Sequence, residues 1–541
     1  MQRRLLEQVN SAGQTWDNLR EGFQWNVPAD LNIAEVCCDD WARNFPDQTA
    51  VIHVHENGEE ERWSYAQFMQ MSNRLANALR SRGVVAGDRV AVLLPQGPAV
   101  LLAHFAAYKL GAIVLPLFTL FGEDALRYRL ADSGAAVVVT DAENLAKLNN
   151  IKPELPALQT IFTTGETKDS AESLWQAIEP ASDNFTPVKT TPETPAVLIY
   201  TSGTTGDPKG VLHGHGFLYG HLPAIELHHQ GFPQDGDCGW TPADWAWIGG
   251  LMDMAMPCLF YGVPLISRRM RKFDPVDAYD LIAKYKIRNL FMPPTALKLM
   301  RGTMVPEDVN IRTISSGGES LGADLLNWAE DTLGAPVNEL YGQTECNLVV
   351  CSAKSLDTHR PGFMGRAVPG HEVAIIDAEG RRLPAGEIGE IAIRAPDVGM
   401  FLRYWNKPEE TAKKFVGDWL RTGDLGSCDA DGFFQFSSRD DDVITSAGYR
   451  IGPSEIENCL ASHPAVAMAA VIGVPDPIRT EAVKAFVVLR EGAAWDGLEK
   501  ELITLVKQRI SPHVAPRSVV AIDALPMTAT GKIMRRALRE A

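Results

Sequence analysis

Residues 200–210 (YTSGTTGDPKG) carry three glycines and four serine or threonine hydroxyls, directly after the apolar run 196–201 (AVLIYT). Thr201, Ser202, Thr204 and Thr205 offer hydroxyls, Gly203 and the other glycines let the backbone turn tightly and present N–H groups, and Lys209 adds a positive charge. That is the composition of a loop that holds phosphate oxygens. It is not a Walker loop, because Lys209 is followed by Gly210 and an apolar strand and not by a Ser or Thr that opens a helix.

Five more motifs follow in order: Gly317 to Ser320 (GGES), Tyr341 to Glu345 (YGQTE), Trp419 to Asp424 (WLRTGD), Ser438 to Arg450 (SRDDDVITSAGYR) and Thr530 to Arg536 (TGKIMRR). With the phosphate loop they span residues 200–536 and resemble the acyl-adenylate-forming superfamily of acyl-CoA synthetases, luciferases and nonribosomal-peptide adenylation domains. The Tyr-Gly-Gln-Thr-Glu and Gly-Tyr-Arg-Ile-Gly-Pro forms are most similar to the medium-chain acyl-CoA synthetases.

The resemblance implies a ligase that uses ATP, Mg²⁺ and coenzyme A. A carboxylate attacks the α-phosphate of ATP, pyrophosphate leaves, and a thiol then displaces AMP. Anions meet in the first step, so donors and cations must stabilise charge at phosphorus. By resemblance, Thr344 lies on the α-phosphate and Glu345 holds Mg²⁺. Gly318, Glu319 and Ser320 run along the adenine, Tyr341 stacks on it, and Gly342 and Gln343 continue that turn. Asp424 accepts from the ribose hydroxyls, with Arg439 and Arg450 near ribose and phosphate. Lys532, a mobile point charge, bridges the attacking carboxylate and the α-phosphate. A hinge at Asp441, or at its neighbours Asp440 or Asp442, then turns the C-terminal domain so that Ser446, Ala447 and Gly448 face the thiol.

In acetate-selective members a tryptophan closes the acyl pocket two positions before the threonine of the Thr-Glu pair, and here that position is Gly342. The expected acid is therefore larger than acetate (medium-chain, branched or aromatic), each buried CH₂ adding ~0.8 kcal/mol. Trp247, Ile248 and Gly249 fall where the family places one wall of this pocket, while Trp245 reads equally as wall or core. There is no Phe-Asp pair here to hold an ammonium group, which favours an apolar acid over an amino acid. Coenzyme A is the expected acceptor, since no carrier domain follows the lysine motif; the alternative is an acyl-AMP ligase that loads a separate carrier protein. Lys507 matches a basic residue that meets the CoA phosphate, or else lies on a solvated helix face.

The elements that must position these loops are of α/β type. Phe68, Met71, Leu75 and Leu79 repeat at helical spacing up to a stop near Gly83. Strands at 88–93, 112–117 and 135–140 alternate with helices at 98–110 and 124–133, as in a parallel sheet with helices on its faces. Residues 141–194 read as a surface connection. A second series holds strands 196–201, 263–267, 288–292, 311–315 and 337–341 with helices 275–285, 294–301 and 322–333. Short strands separated by Gly and Pro after about 360 imply a small β-rich subdomain. The division expected is 1–438 as the AMP-binding domain, 439–441 as hinge and 442–541 as a small mobile α+β domain.

A length of 541 residues, 45% hydrophobic and 22% charged, excludes a single small binding module and a disordered chain. A net charge of −17 argues against binding nucleic acid without regard to sequence. Eight cysteines without zinc-site spacing, and a start without an apolar export core, predict a cytoplasmic protein. Region 91–121 is interrupted by Pro95, Gln96, Pro98, His104, Lys109 and Pro116, so it cannot span a bilayer. The partners implied are small molecules, and monomer and homodimer remain equally open. His213, His215, His221, His228 and His229 cluster, but with Glu226 as the one acid and no cysteine among them they read as structural. Arg535 and Arg536 read as surface features.

Overall fold

The computed structural model describes residues 4–540 apart from 7, 8, 10, 12, 168–170, 202–206, 319, 320, 440, 441, 447, 448, 477–479, 511, 513 and 529–532, and gives the backbone alone at 445, 449, 450, 455 and 480. Its expected helices and strands form with small shifts at their ends. Helix Tyr65–Ser81 starts on a Ser64 capping box with Gln67, and helix Pro98–Lys109 has proline in its first turn, where a missing N–H costs nothing.

Two sheets carry the large domain. One has eight strands in the order Arg403–Tyr404, Lys209–Gly214, Pro195–Thr201, Ile113–Pro116, Arg89–Leu93, Val137–Thr140, Thr160–Thr163, Glu172–Ser173. The other has fourteen, and its parallel part runs Val337–Gln343, Thr313–Gly317, Asn289–Phe291, Gly239–Trp240, Leu265–Ser267, Thr49–Val54. Between the sheets lie helices Tyr65–Ser81, Pro98–Lys109, Phe217–His228 and Met256–Tyr261, which share one core with Val90, Val114, Leu265 and Leu340. Phe217–His228 is buried on every side, which explains why it has no apolar period to read.

Two expectations change. Residues 141–194 are not a mere connection: helix Ala142–Ile151 packs on the sheet, and Thr160–Thr163 and Glu172–Ser173 extend it, with Ile161 and Phe162 fully buried. The β-rich tail is not a detached sheet either. Gly365–Ala367 pairs with Asn347–Cys351 on one side and Phe433–Arg439 on the other, so the tail prolongs the larger sheet. The separate small C-terminal domain forms its own five-stranded sheet, around Thr480–Leu489, with its own core of Ile456, Leu460, Val471, Leu502 and Val506. Among the described residues no helix is long and apolar enough to cross a membrane.

One polar knot holds the inter-sheet core. Lys109 is fully buried, 2.7 Å from Asp39 Oδ1 and 2.7 and 2.9 Å from Asn73 Oδ1 and Ser72 Oγ. Lys109→Met leaves the Asp39 carboxylate uncompensated and should destabilise the fold by about 3–5 kcal/mol. Chemical denaturation would measure this, and an unmoved midpoint would show that the pair contributes nothing.

Candidate active site

The parallel strands of the larger sheet end at Gly317 and Gln343, and ligands of open α/β sheets collect beyond such ends. Strand Val337–Gln343 turns back into Asn347–Cys351, so Thr344, Glu345 and Cys346 form the tip of a hairpin. Gly342 closes that hairpin. A Cβ on it would lie 1.7 Å from the Asn347 carbonyl oxygen, so the position requires glycine for backbone approach.

Four of the residues assigned to the nucleotide meet. The buried Asp424 carboxylate accepts from the Tyr341 hydroxyl at 2.8 Å, from Gln343 Nε2 at 2.5 Å and from Arg439 Nη1 at 3.3 Å. Antiparallel pairing puts Asp424 opposite Arg439, and Thr422 Oγ1 accepts from the Asp424 amide at 3.1 Å, fixing the turn. Gln343 Nε2 also donates to the Thr422 carbonyl, which joins the parallel strand to the β-rich tail.

The Glu345 carboxylate is buried and accepts from the Tyr404 hydroxyl through Oε1 at 2.5 Å. Its Oε2 makes no hydrogen bond among the described residues, so an oxygen is available for a hard cation such as Mg²⁺. Tyr404 reaches it because Arg403–Tyr404 pairs with Lys209–Gly214, the strand that leaves the phosphate loop. In that register Thr201 sits opposite Lys209, and the loop is the connection between them. Lys209 Nζ lies 2.6 Å from Glu410 Oε2 and 5.3 Å from the centre of the Tyr404 ring, and Lys209 together with Lys413 holds the Glu410 carboxyl down at about 2. Behind the hairpin, His213 Nε2 donates to the Thr344 carbonyl at 2.7 Å.

A cavity of about 650 Å³ adjoins this hairpin. Gly318, Gly342, Gln343 and Thr344 line one part, and Trp247, Ile248, Gly249, Phe291, Leu340 and Leu348 line another. Trp245 is turned away into the core between the sheets. Asp253 and His221 also line the cavity, and both are buried.

Other residues expected at the site lie in the C-terminal domain or outside the described residues. Ser446 is buried in the small C-terminal sheet, and Lys507 is exposed on helix Leu498–Arg509. Ser202, Gly203, Thr204, Thr205, Glu319, Ser320, Asp440, Asp441, Ala447, Gly448 and Lys532 lie outside the described residues, as does the side chain of Arg450. Arg535 is not a surface feature: it meets Glu457 at 2.8 Å and Asp442 at 3.1 Å, and Arg539 also meets Asp442. Tyr404, Glu410, Asp253 and the positioning role of His213 escaped sequence reasoning. Tyr404 and Glu345 are 59 positions apart, and no local pattern links them.

Of the clustered histidines, His213, His215, His221 and His229 bond to separate partners, while the His228 ring packs against that of His229 at 4.3 Å. Besides His213, His215 Nδ1 accepts from the Ile33 amide, and His229 Nδ1 faces Thr313 Oγ1. Among the described residues no three His, Cys, Asp or Glu side chains group as a metal site.

Residues 38–405 match the family described as AMP-binding enzyme, and residues 455–532 match the AMP-binding enzyme C-terminal domain. Over 526 residues the chain is 34% identical to an acetyl-coenzyme A synthetase of Bacillus subtilis (strain 168), covering 94% of this chain and 90% of that one. It is likewise 34% identical to the mitochondrial acyl-coenzyme A synthetase ACSM2B of Homo sapiens, covering 96% and 91%. Among solved structures, a benzoate CoA ligase from Burkholderia xenovorans LB400 superposes with a TM-score of 0.83 at 27% identity, covering 94% and 99%.

Burial around the site sets its response to pH. It lowers His53 and His213 to about 4 and His104, His215, His221 and His228 to about 3, so each stays neutral in the fold. The unfolded chain protonates them near 6.5, so stability falls as pH drops below that value. Burial raises Glu226 to about 7 and Glu339 to about 8 while the unfolded chain ionises both near 4.5, so their contribution is full below 4.5 and is lost progressively as pH rises to 7–8. The melting temperature should therefore peak near pH 6.5–7 and fall on both sides. A midpoint still rising at pH 5 would mean that the buried acids outweigh the histidines.

Proposed function

We infer the acid and the order of steps from the fact that this chain belongs to the AMP-binding enzyme family and is an AMP-forming acid–CoA ligase that uses ATP, Mg²⁺ and coenzyme A. The acid is larger than acetate: a medium-chain, branched or aromatic carboxylate. The observation that carries this is the single cavity running from the Gln343–Thr344 turn to the apolar wall of Trp247, Ile248, Gly249 and Phe291, with glycine at 342. Similarity leaves the choice open, because one relative is named for acetyl and another for benzoate. Small molecules are its partners, and we place it in the cytoplasm. None of its eight cysteines forms a disulfide, as a reducing compartment permits, although the human relative is named mitochondrial.

In the first step the carboxylate oxygen bonds to the α-phosphorus, the bond to the β-phosphate oxygen breaks, and pyrophosphate leaves. Thr344, the phosphate loop from Thr201 to Lys209, and Arg450 hold phosphate oxygens. Asp424 holds the ribose, with Arg439 beside it. Glu345 would hold Mg²⁺, which neutralises phosphate charge when bound. Gly318, Glu319 and Ser320 follow the adenine. Lys532 donates to the carboxylate and the phosphate as their charges approach. The C-terminal domain, from residue 442, then turns at Asp441, and the Ser446–Gly448 loop with Lys507 attends the CoA thiolate as it displaces AMP. Asp442 supports that division, since Arg535 and Arg539 of the C-terminal helix both hold it.

Pyrophosphate release measured with linear C2–C12, branched and aromatic acids should rise beyond C2. A strong preference for acetate would refute the reading of the pocket. Lys532→Ala should slow adenylation by about 10²–10³-fold, as loss of a transition-state donor does. It should spare thioester formation from supplied acyl-AMP, and an equal fall in both half-reactions would remove the assignment.

A further inference from the structure

Residues 397–404 form a strap over the hairpin that carries Thr344 and Glu345. The Phe401 amide donates to the Glu345 carbonyl at 2.8 Å, Asn347 Nδ2 donates to the Gly399 carbonyl, and the Tyr404 hydroxyl donates to Glu345 Oε1 at 2.5 Å. Glu345 is thus tied to this segment through its backbone and through its carboxylate. One end of the strap is fixed by sheet pairing, since Arg403–Tyr404 pairs with Lys209–Gly214. The other end, at Asp397, lies outside any helix or strand and needs a different anchor.

A buried pair provides it. Asp397 Oδ1 accepts from the Gly399 amide at 2.8 Å, and Oδ2 faces His371 Nδ1 at 2.7 Å. On the far edge of the ring, His371 Nε2 donates at 3.1 Å to the carbonyl of Gly220, in helix Phe217–His228 between the sheets. The His371 side chain is fully buried and that of Asp397 is 3% exposed. A carbonyl only accepts, so Nε2 carries a proton, and the bond to Asp397 needs a second one on Nδ1 or Oδ2. Both bonds are made wherever that second proton sits. Burial opposes charge on the ring, but the Asp397 carboxylate outweighs it, so His371 titrates above its ordinary value. Packing tightens the link: a Cβ on Gly220 would lie 2.3 Å from Gly399 Cα, so helix and strap meet backbone to backbone.

Stability alone does not require such a pair. A buried ion pair adds little over well-packed apolar side chains, because desolvation cancels most of its attraction. What it adds is direction, since two bonds on opposite edges of a rigid ring fix Asp397 relative to the helix. A carboxylate that takes a metal depends on the groups behind it for its orientation, and behind Glu345 those groups belong to the strap.

We propose that His371 and Asp397 are positioning residues for the reaction: through the strap they hold the Glu345 carboxylate, and Thr344 beside it, in the place where Mg²⁺ and the α-phosphate are taken up. This rests on Glu345 being the Mg²⁺ residue of the ligase. Neither His371 nor Asp397 lies in a motif that marks the nucleotide site, and they stand 26 positions apart.

The test measures ATP binding by calorimetry in the absence of acid, so that no turnover occurs, with Mg²⁺ and with a chelator in its place. The wild type should bind Mg·ATP more tightly than metal-free ATP, and Glu345→Gln should remove that preference. His371→Leu combined with Asp397→Val replaces the pair by apolar side chains, which spares the fold more than breaking one partner does. It should weaken Mg·ATP binding by about 10–100-fold, the usual cost of losing a group behind a metal ligand, and change metal-free binding far less. Asp397→Asn can still accept from Gly399 and donate to His371 Nδ1, so it should hold the preference. In the wild type, hydrogen exchange of the Phe401 amide should slow with Mg·ATP and not with metal-free ATP, a reading that decides even if the double variant does not fold. A folded double variant that keeps the preference overturns the proposal and leaves the role of Glu345 intact; so does an equal fall with and without metal, or a fall as large in Asp397→Asn. Exchange at Phe401 that ignores Mg·ATP overturns it as well. A wild type without the preference, or a Glu345→Gln variant that keeps it, overturns the assignment of Glu345 and the proposal with it.

Discussion

A buried carboxylate needs donors, and Asp424 obtains them from two strands besides its own. Tyr341 and Gln343 come from the last parallel strand, Arg439 from the last strand before the C-terminal domain, and Asp424 itself from the strand between Gly389–Arg394 and Phe433–Arg439. The requirement couples the parallel part of the sheet to its antiparallel tail, which explains why the tail is not a detached unit. It also fixes the direction of the Val337–Gln343 strand end, and with it the hairpin that carries Thr344 and Glu345. That hairpin is gripped from two further sides, by His213 on the Thr344 carbonyl and by Tyr404 on the Glu345 carboxylate. The grip by Tyr404 depends on its pairing with strand Lys209–Gly214, so the two sheets meet in the bonds around this hairpin.

Legibility followed the range of the signal. Helix Pro275–Tyr285 and the strands near 88–93 and 137–140 were readable because each buries a single face, or lies in a short apolar run between turns. Helix Phe217–His228 was unreadable because both its faces are covered, so apolar and histidine residues follow no period. Residues 142–151 and 160–163 were taken for a surface connection because polar residues surround them, although their few apolar side chains are buried.

The same limit divides the site. The loops were readable because glycines, hydroxyls and acids at fixed spacing leave a local trace. Tyr404, Glu410 and Asp253 leave none, since each matters only through a group far along the chain or through a cavity that exists only in the fold. A lone Asp between Met252 and Met254 gives no hint that it is buried against His221 in a cavity wall. The histidine cluster is the converse case. It stands out in sequence, yet the fold gives His213, His215 and His229 separate carbonyl, amide and hydroxyl partners, and burial keeps the cluster neutral.

The net charge of −17 also has a local meaning. Among the described residues, several cations around the site are already balanced: Lys209 by Glu410, Arg439 by Asp424, Arg268 by Asp277, and Arg271 by Glu56 and Glu143. An anionic ligand at Lys209 therefore gains only the difference between its own interaction and that of Glu410, which is far smaller than the attraction of a bare lysine. Weak anions gain nothing from the exchange. The phosphate role assigned to residues 201–209 therefore calls for donors besides the ammonium group, and the glycines and hydroxyl residues of that sequence are of the kind that supply them. In an acidic protein such balanced cations reject stray anions.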